Sequence, residues 1–237
     1  MRFDSLASSS HGNAYIVSDR DTRILLECGL PYKELRKLTG FKLSQFDACL
    51  VSHEHGDHSK CAKRLILDGI PVYMSYGTAL ALGLEGTVLD AAEAMEHKSQ
   101  FNIGTIDIVP FTTFHDAKEP LGFLFRSRID GEVLVFATDT VNLAYRFPGV
   151  NILAIEANFD KEILARCQRL PDSKKHRIGN THMEIDVLCN YLRSLDLTSC
   201  REIYLLHLSD ATSHEGHFVN KVFRAVPRHI KVTACSR

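Results

Sequence analysis

The stretch Val51-Ser52-His53-Glu54-His55-Gly56-Asp57-His58 places four residues of metal-ligand type within six positions, directly after the apolar run 46–51. A short apolar run that ends in polar residues is typical of a buried strand that delivers a functional loop. Imidazole nitrogens and carboxylate oxygens are good ligands for zinc, manganese or iron. At spacings of i, i+2, i+4 and i+5, no regular helix or strand points all four groups one way. The pattern therefore predicts a tight loop, with Gly56 supplying the backbone freedom to build it.

In such a loop the first two histidines can serve one metal ion, while the following Asp-His pair serves a second. The simpler interpretation is a polar, solvated loop in a chain that carries 12 histidines among 237 residues. Alone, a His or Asp that follows a strand is more often a satisfied buried polar group than a ligand. Here three of them follow predicted strands, where a rigid scaffold can aim a side chain. They are His115, Asp139 and His207, and with the loop they complete the ligands for two metal ions.

The composition is that of an ordinary globular protein, with 45% hydrophobic and 24% charged residues. This length allows a sizeable core, and we predict a single domain over residues 1–237. The formal net charge of −1 gives no global positive field that would indicate a nucleic-acid partner. The seven cysteines are odd in number and lack a Cys-x-x-Cys pair, which favours a reduced, cytoplasmic location. We expect neither a signal peptide nor a membrane span, because no apolar run is long enough.

The order of predicted strands and helices indicates an α/β fold. Strands come in two clusters, each followed by helices, and this pattern fits two sheets packed face to face with helices outside. Around the ligand stretch we predict a helix from Pro31 to near Gly40 and a second helix over 59–67. Later helices are predicted near 161–168, 183–195 and 216–226.

The order of the candidate ligands resembles that of the metallo-β-lactamase superfamily: His-x-His-x-Asp-His, then a His, then an Asp, then a late His. The resemblance implies a four-layer αβ/βα sandwich with the site at one edge. It also implies the role of each ligand. His53, His55 and His115 bind one metal ion, Asp57, His58 and His207 bind the other, and Asp139 bridges them. The implied cofactors are two divalent metal ions, zinc or manganese, since nitrogen and oxygen ligands without cysteine suit either.

Several further motifs resemble the YycJ-type (WalJ-type) single-domain branch of that superfamily. They are Phe3-x-Ser5-Leu6-Ala7-Ser8-Ser9-Ser10-His11-Gly12-Asn13, Leu153-Ala154-Ile155-Glu156-Ala157-Asn158-Phe159-Asp160, Thr181-His182-Met183 and His207-Leu208-Ser209. Members of this branch are metal-dependent nucleases that act on DNA, so the resemblance implies a DNA exonuclease.

The chain departs from that branch at Glu27, where Asp is usual. The resemblance implies that this carboxylate steadies the ligand loop from behind. Downstream of the last motif, His214 and His217 could suggest another metal site, but capping at a helix start is the simpler role.

An analogy with ribonuclease Z-like enzymes implies a proton donor for the leaving alkoxide. By that analogy His182 is the donor and Glu156 orients it, and both join Asp57 as predicted catalytic residues. The alternative for His182 is a structural residue at a helix start. A basic segment lies just before it, and it is either a phosphate-binding patch or a solvated basic loop: Lys174, Lys175 and Arg177.

Three functions are consistent with these residues. The preferred one is a hydrolase with two metal ions that cleaves phosphodiester bonds as a DNA exonuclease, with DNA as its partner. The second is a small-molecule hydrolase of a cyclic phosphate, thioester or lactone on the same fold, which the near-zero net charge favours. The third is a non-catalytic scaffold, against which the intact ligand set argues.

Overall fold

The computed structural model describes residues 1–84 and 100–235, which fall into two units by their internal contacts. Residues 1–84, 100–112 and 117–133 belong to the first unit, and residues 113–116 and 134–235 to the second. The described strands form two sheets accompanied by helices, so the predicted α/β class is confirmed. A single domain over residues 1–237 stays a prediction.

The first unit contains a five-stranded sheet with strand order β1-β2-β3-β4-β5. Its strands are β1 (Arg2–Ala7), β2 (Ala14–Ser18), β3 (Arg23–Leu26), β4 (Ala48–Leu50) and β5 (Val72–Tyr73). The first three pair antiparallel, whereas β3, β4 and β5 run parallel. All three residues of β4 are buried between parallel neighbours. A central parallel strand is covered on both faces, which explains the continuous apolar run before the ligand stretch.

Helices of the first unit pack against this sheet around one apolar core. They are α1 (Tyr32–Leu38), α2 (Gly56–Ser59), α3 (Ala62–Leu67) and α4 (Tyr76–Ala81). Leu25 of β3, Leu35 of α1 and Leu65 of α3 are fully buried in the same cluster. Burying one such side chain contributes about 1.5–3 kcal/mol to folding. The unit also contains three consecutive antiparallel strands, β6 (Phe101–Ile103), β7 (Ile106–Thr112) and β8 (Leu121–Ser127).

The second unit contains four parallel strands in the order β12-β11-β10-β9. They are β9 (Val133–Ala137), β10 (Ile152–Glu156), β11 (Glu202–Leu206) and β12 (Lys231–Ala234). Its helices are α5 (Lys161–Arg166), α6 (Asp172–Thr181), α7 (Ile185–Arg193) and α8 (Glu215–Phe223). Register pairs Ile155 with Ala137 and Glu156 with Leu206. The carboxyl ends of β9, β10 and β11 therefore share one edge, which is where Asp139, Glu156 and His207 lie.

The structure differs from the sequence predictions at α2, α3 and α6. The helix predicted over 59–67 is interrupted, and the chain forms the short helix α2 followed by α3. The basic segment is not a loop, because it lies inside α6. Pro171 stands at the N-cap of α6 and Asp172 in its first turn, where an acidic side chain is stabilised by the helix dipole. These two residues are the helix-start signals in the sequence, and the basic side chains follow them within the helix.

The seven cysteines are buried and carry free thiols. Burial raises the pKa of the Cys61 and Cys200 thiols to about 11, so both behave as small apolar groups. Within the described ranges, no helix combines the length and the apolarity needed to cross a membrane.

Candidate metal centre

Three histidine rings of the ligand stretch lie together in the first unit, next to the end of β4. The His53 ring centroid is 4.7 Å from that of His55 and 4.2 Å from that of His58. His53 Nε2 and His55 Nδ1 are 3.1 Å apart, and Ser52 Oγ lies 2.8 Å from His53 Nδ1. Two imidazole nitrogens that face each other at this distance can share a proton or a cation. Their geometry agrees with the predicted pairing of His53 and His55 on one ion.

Asp57 and His58 lie on the short helix α2 rather than on the predicted loop. Gly56 begins this helix without a positive φ, and a Cβ built on it would meet no atom within 4 Å. The prediction that Gly56 supplies special backbone freedom is therefore wrong. The helical turn brings Asp57 Oδ2 to 3.4 Å from His58 Nε2, because the N–H groups of His58 and Ser59 both donate to the carbonyl of His55.

A close backbone approach does occur in this part of the site, at Gly29. A Cβ at position 29 would lie 1.7 Å from the carbonyl oxygen of Asp57. The N–H of Asn13 donates to the same oxygen over 2.8 Å, and Asn13 Nδ2 lies 3.2 Å from His58 Nε2. Neither Gly29 nor Asn13 is among the predicted site residues. The signal for Asn13 was its place at the end of the small, polar opening motif.

Glu27 contacts the ligand stretch at Ser52 and His58, in line with its predicted supporting role. Its side chain is fully buried, with Oε1 accepting the N–H of Ser52 over 3.1 Å and Oε2 lying 3.3 Å from His58 Nδ1. Burial raises the pKa of the Glu27 carboxyl, and the facing imidazole of His58 works against that rise. The residue has a φ of 61°, a left-handed value that is uncommon for a side chain of this size.

In the second unit, Asp139 lies between two of the predicted histidine ligands. Its Oδ2 is 3.4 Å from His115 Nε2, and its Oδ1 is 3.7 Å from His207 Nε2. Each carboxylate oxygen thus faces a different imidazole, as a bridging carboxylate would. Burial lowers the pKa of His115, which favours the neutral imidazole that metal binding needs. Asp139 and His207 have φ values of 46° and 54°, again in the left-handed region.

Asn158 fixes the position of His207. Its Nδ2 donates to the backbone carbonyl of His207 over 2.8 Å and lies 3.0 Å from His207 Nδ1. The backbone of Asn158 is itself held, because its N–H donates to Met183 O and its carbonyl accepts the N–H of Ser209. The Glu-Ala-Asn motif at 156–158 does not by itself indicate this role for its asparagine.

His182 and Glu156 form a short, buried pair. His182 Nδ1 lies 2.6 Å from Glu156 Oε1, while Glu156 Oε2 accepts the N–H groups of Thr140 over 2.8 Å and Met183 over 3.1 Å. His182 is not at a helix start, since it caps the C-terminus of α6. Burial lowers the pKa of His182, but the carboxylates of Glu156 and Asp139 outweigh it and raise that pKa to about 9.

The donor atoms of this cluster fit a divalent cation. One ligand atom from each of four buried side chains lies within 4.8 Å of the other three: Asp139, Glu156, His182 and His207. Imidazole nitrogen and carboxylate oxygen are the donors that zinc and manganese take. Divalent metal binding is thus supported by the chemistry of the donor set, while each residue's assignment to a metal or to proton transfer stays a prediction.

The basic residues of α6 do not form one free patch. Arg177 donates from Nε and Nη2 to the two carboxylate oxygens of Asp116 over 2.7 and 2.9 Å. Lys175 Nζ lies 3.6 Å from Asp172. At the start of α8, the side chain of His214 accepts the N–H of His217 over 3.2 Å, which is the predicted capping role.

Comparisons with known proteins identify the family. The model of the β-lactamase superfamily domain matches residues 22–208. The exodeoxyribonuclease YycJ of Bacillus anthracis is 31% identical over 229 residues, covering 88% of this chain and 83% of that protein. The exodeoxyribonuclease WalJ of Streptococcus pneumoniae is 29% identical over 223 residues, covering 88% of this chain and 81% of that protein.

Solved structures agree on the fold. The metallo-β-lactamase fold protein YhfI from Bacillus subtilis superposes with a TM-score of 0.69 at 15% identity, covering 99% of this chain and 96% of that chain. Human tRNase Z, short form, has a TM-score of 0.63 at 14% identity, covering 100% of this chain and 96% of that chain. The predicted fold is confirmed, and the chain belongs to the metallo-β-lactamase superfamily as a YycJ/WalJ-like member.

Proposed function

We propose that the protein is a metal-dependent phosphodiesterase that acts on DNA as an exonuclease. The observation that carries the proposal is the buried Glu156–His182 pair beside Asp139, because an oriented imidazole next to predicted metal ligands would serve as a proton donor. Two further findings support it. The relatives named above are called exodeoxyribonucleases, and a structural neighbour with a TM-score of 0.65 is a diphosphatase of the PhnP family.

The proposed cofactors are two divalent metal ions, zinc or manganese. The proposed ligands keep the roles that the superfamily resemblance implies, and they are His53, His55, Asp57, His58, His115, Asp139 and His207. When bound, such ions supply Lewis-acid activation of a water molecule and of the phosphoryl oxygens. Seven side chains with only two carboxylates offset part of the metal charge, so the site would favour an anionic substrate.

His182 is the proposed general acid. Because His182 Nδ1 is hydrogen-bonded to Glu156, His182 Nε2 is the nitrogen that would donate the proton to the substrate. A nucleotide leaves as a strongly basic alkoxide and needs a proton at that moment, which a positioned imidazolium supplies for roughly 10²–10⁴-fold in rate. The two backbone N–H groups on Glu156 Oε2 keep this carboxylate fixed while it holds the ring.

The deciding experiment incubates purified protein with Mn²⁺ and three substrates: labelled single-stranded DNA, double-stranded DNA and bis-nitrophenyl phosphate. Progressive release of mononucleotides that a chelator abolishes is the expected result. Cleavage of bis-nitrophenyl phosphate without cleavage of either DNA would instead favour the small-molecule hydrolase, which the net charge of −1 also favours. No cleavage of any substrate by metal-loaded protein would favour the scaffold. For substitutions of His182, His176→Ala is a suitable control variant, because it removes an exposed imidazole from α6 that does not contact Glu156.

A further inference from the structure

The short segment 113–116, which contains His115, is held by several contacts within the second unit. The N–H of Phe114 donates to Thr140 Oγ1 over 3.0 Å, and the N–H of Val141 donates to the carbonyl of Phe114 over 3.1 Å. Both bonds fix the backbone of Phe114, the residue directly before the predicted ligand.

The ring of His115 is fixed by the last turn of α6. His115 Nδ1 lies 2.7 Å from the carbonyl oxygen of Thr181. A carbonyl can only accept, so Nδ1 carries a proton. On the other side of the ring, Nε2 lies 3.2 Å from Asp116 Oδ1 and 3.4 Å from Asp139 Oδ2. A backbone carbonyl on the far nitrogen is the usual support of a metal-binding histidine.

The same helix makes a second contact to this segment, one turn earlier. Arg177 donates through two nitrogens to both oxygens of Asp116, the residue after His115. Arg177 and Thr181 are joined to each other, because Thr181 Oγ1 donates to the carbonyl of Arg177 over 2.9 Å. Helix α6 therefore meets the segment at the His115 ring and at the next side chain.

We propose that Arg177 is a positioning residue for His115: through Asp116 it sets the distance between α6 and the segment, and so the direction of the His115 ring. The inference rests on the proposed role of His115 as a metal ligand. A planar guanidinium that binds a carboxylate through two parallel bonds fixes angle as well as distance. The side chains of Arg177 and Asp116 are 47% and 40% exposed, so water and salt screen the pair. Loss of a supporting partner costs about 10–100-fold in metal affinity, and the exposed pair belongs at the lower end.

The first test measures Zn²⁺ affinity by competition with a chromophoric chelator. Arg177→Ala should bind Zn²⁺ about 10-fold more weakly than the unchanged protein. Arg177→Lys should fall between them, because lysine keeps the charge but not the two-bond geometry. Lys174→Ala removes a positive charge from the same helix and should leave the affinity unchanged. The difference in Zn²⁺ affinity between Arg177→Ala and the unchanged protein should become smaller at high salt, because salt screens the exposed ion pair. A general loss of structure would not produce this salt dependence.

The second test is independent of metal. Amide hydrogen exchange of Phe114 and Val141 in metal-free protein reports how often the segment opens. Both amides should exchange faster in Arg177→Ala than in Lys174→Ala. Unchanged affinity together with unchanged exchange would overturn the inference. If the unchanged protein takes up no Zn²⁺ at all, the proposed function loses its support, while faster exchange in Arg177→Ala would still show that Arg177 positions the segment.

Discussion

Replacing His182 should separate proton donation from structural support, because Ala and Gln remove different things. Ala removes both the titratable proton and the group that faces Glu156 Oε1 over 2.6 Å. Gln removes the titratable proton but can still offer an amide N–H to that oxygen. Glu156 is fully buried, so the loss of His182 leaves Glu156 Oε1 without this hydrogen-bond donor in a place that water does not reach.

The structure sets the size of both effects. Leaving a buried acceptor unsatisfied costs about 1–3 kcal/mol, and His182→Ala should lose that much stability. In a chain of this length the melting temperature should then fall by about 2–12 °C. His182→Gln should lose less. On DNA, both variants should lose roughly 10²–10⁴-fold in kcat, the range for a positioned proton donor.

The assay compares two leaving groups. A nitrophenolate departs as a stable anion, so bis-nitrophenyl phosphate should lose little in either variant, whereas DNA cleavage should lose the full factor. Glu156→Gln should show the same asymmetry more weakly, since it disturbs only the orientation and charge of the ring. Equal losses on both substrates would refute proton donation and assign His182 to phosphate positioning or metal support. No loss on either, with only a lower melting temperature, would return His182 to a structural role.

Elemental analysis of protein purified without chelator should find two transition-metal ions per chain, and protein that neither contains nor takes up such ions would contradict the ligand assignment. Asp139→Ala should abolish cleavage and lower metal content, because each oxygen of Asp139 faces a different histidine; full turnover with unchanged occupancy would exclude a bridging role. Gly29→Ala should unfold or severely destabilise the protein, since its Cβ would lie 1.7 Å from Asp57 O, whereas Gly56→Ala should melt within a few degrees of the unchanged protein. In metal-free protein the free energy of unfolding should fall as pH rises from 6.5 to about 9. The reason is the raised pKa of His182, because the folded state keeps a proton that the unfolded chain has released in this range. Urea titrations across this pH range would measure the fall, and a rise in the free energy of unfolding would contradict the assigned protonation.

Sequence patterns were sufficient for the fold and for the residues that emerge from strand ends. His115, Asp139 and His207 each follow a short apolar run, and a polar residue in such a place is visible without a structure. The buried strand before His53 was equally clear, because a central parallel strand has no polar face to interrupt the run.

What the sequence could not predict depends on contacts between distant parts of the chain. Asn13 meets Asp57 across 44 positions and Asn158 meets His207 across 49, so local pattern holds no sign of either pair. Gly56 misled for the opposite reason: glycine permits unusual backbone but does not require it, and the folded chain used an ordinary helical turn. Arg177 looked like part of a phosphate patch because its partner, Asp116, lies 61 positions away.

The left-handed backbone at Glu27, Asp139 and His207 sets stability against activity in this protein. Such conformations cost about 1–3 kcal/mol each for a residue other than glycine, and the surrounding buried strands must compensate for them. Glycine adopts this backbone without strain, but it would also remove the contacts that these side chains make. At Glu27 that loss would leave the N–H of Ser52 without its buried acceptor. The proposed site needs the carboxylate of Asp139 and the imidazole of His207 in spite of their strain, so stabilising substitutions are better sought elsewhere in the chain.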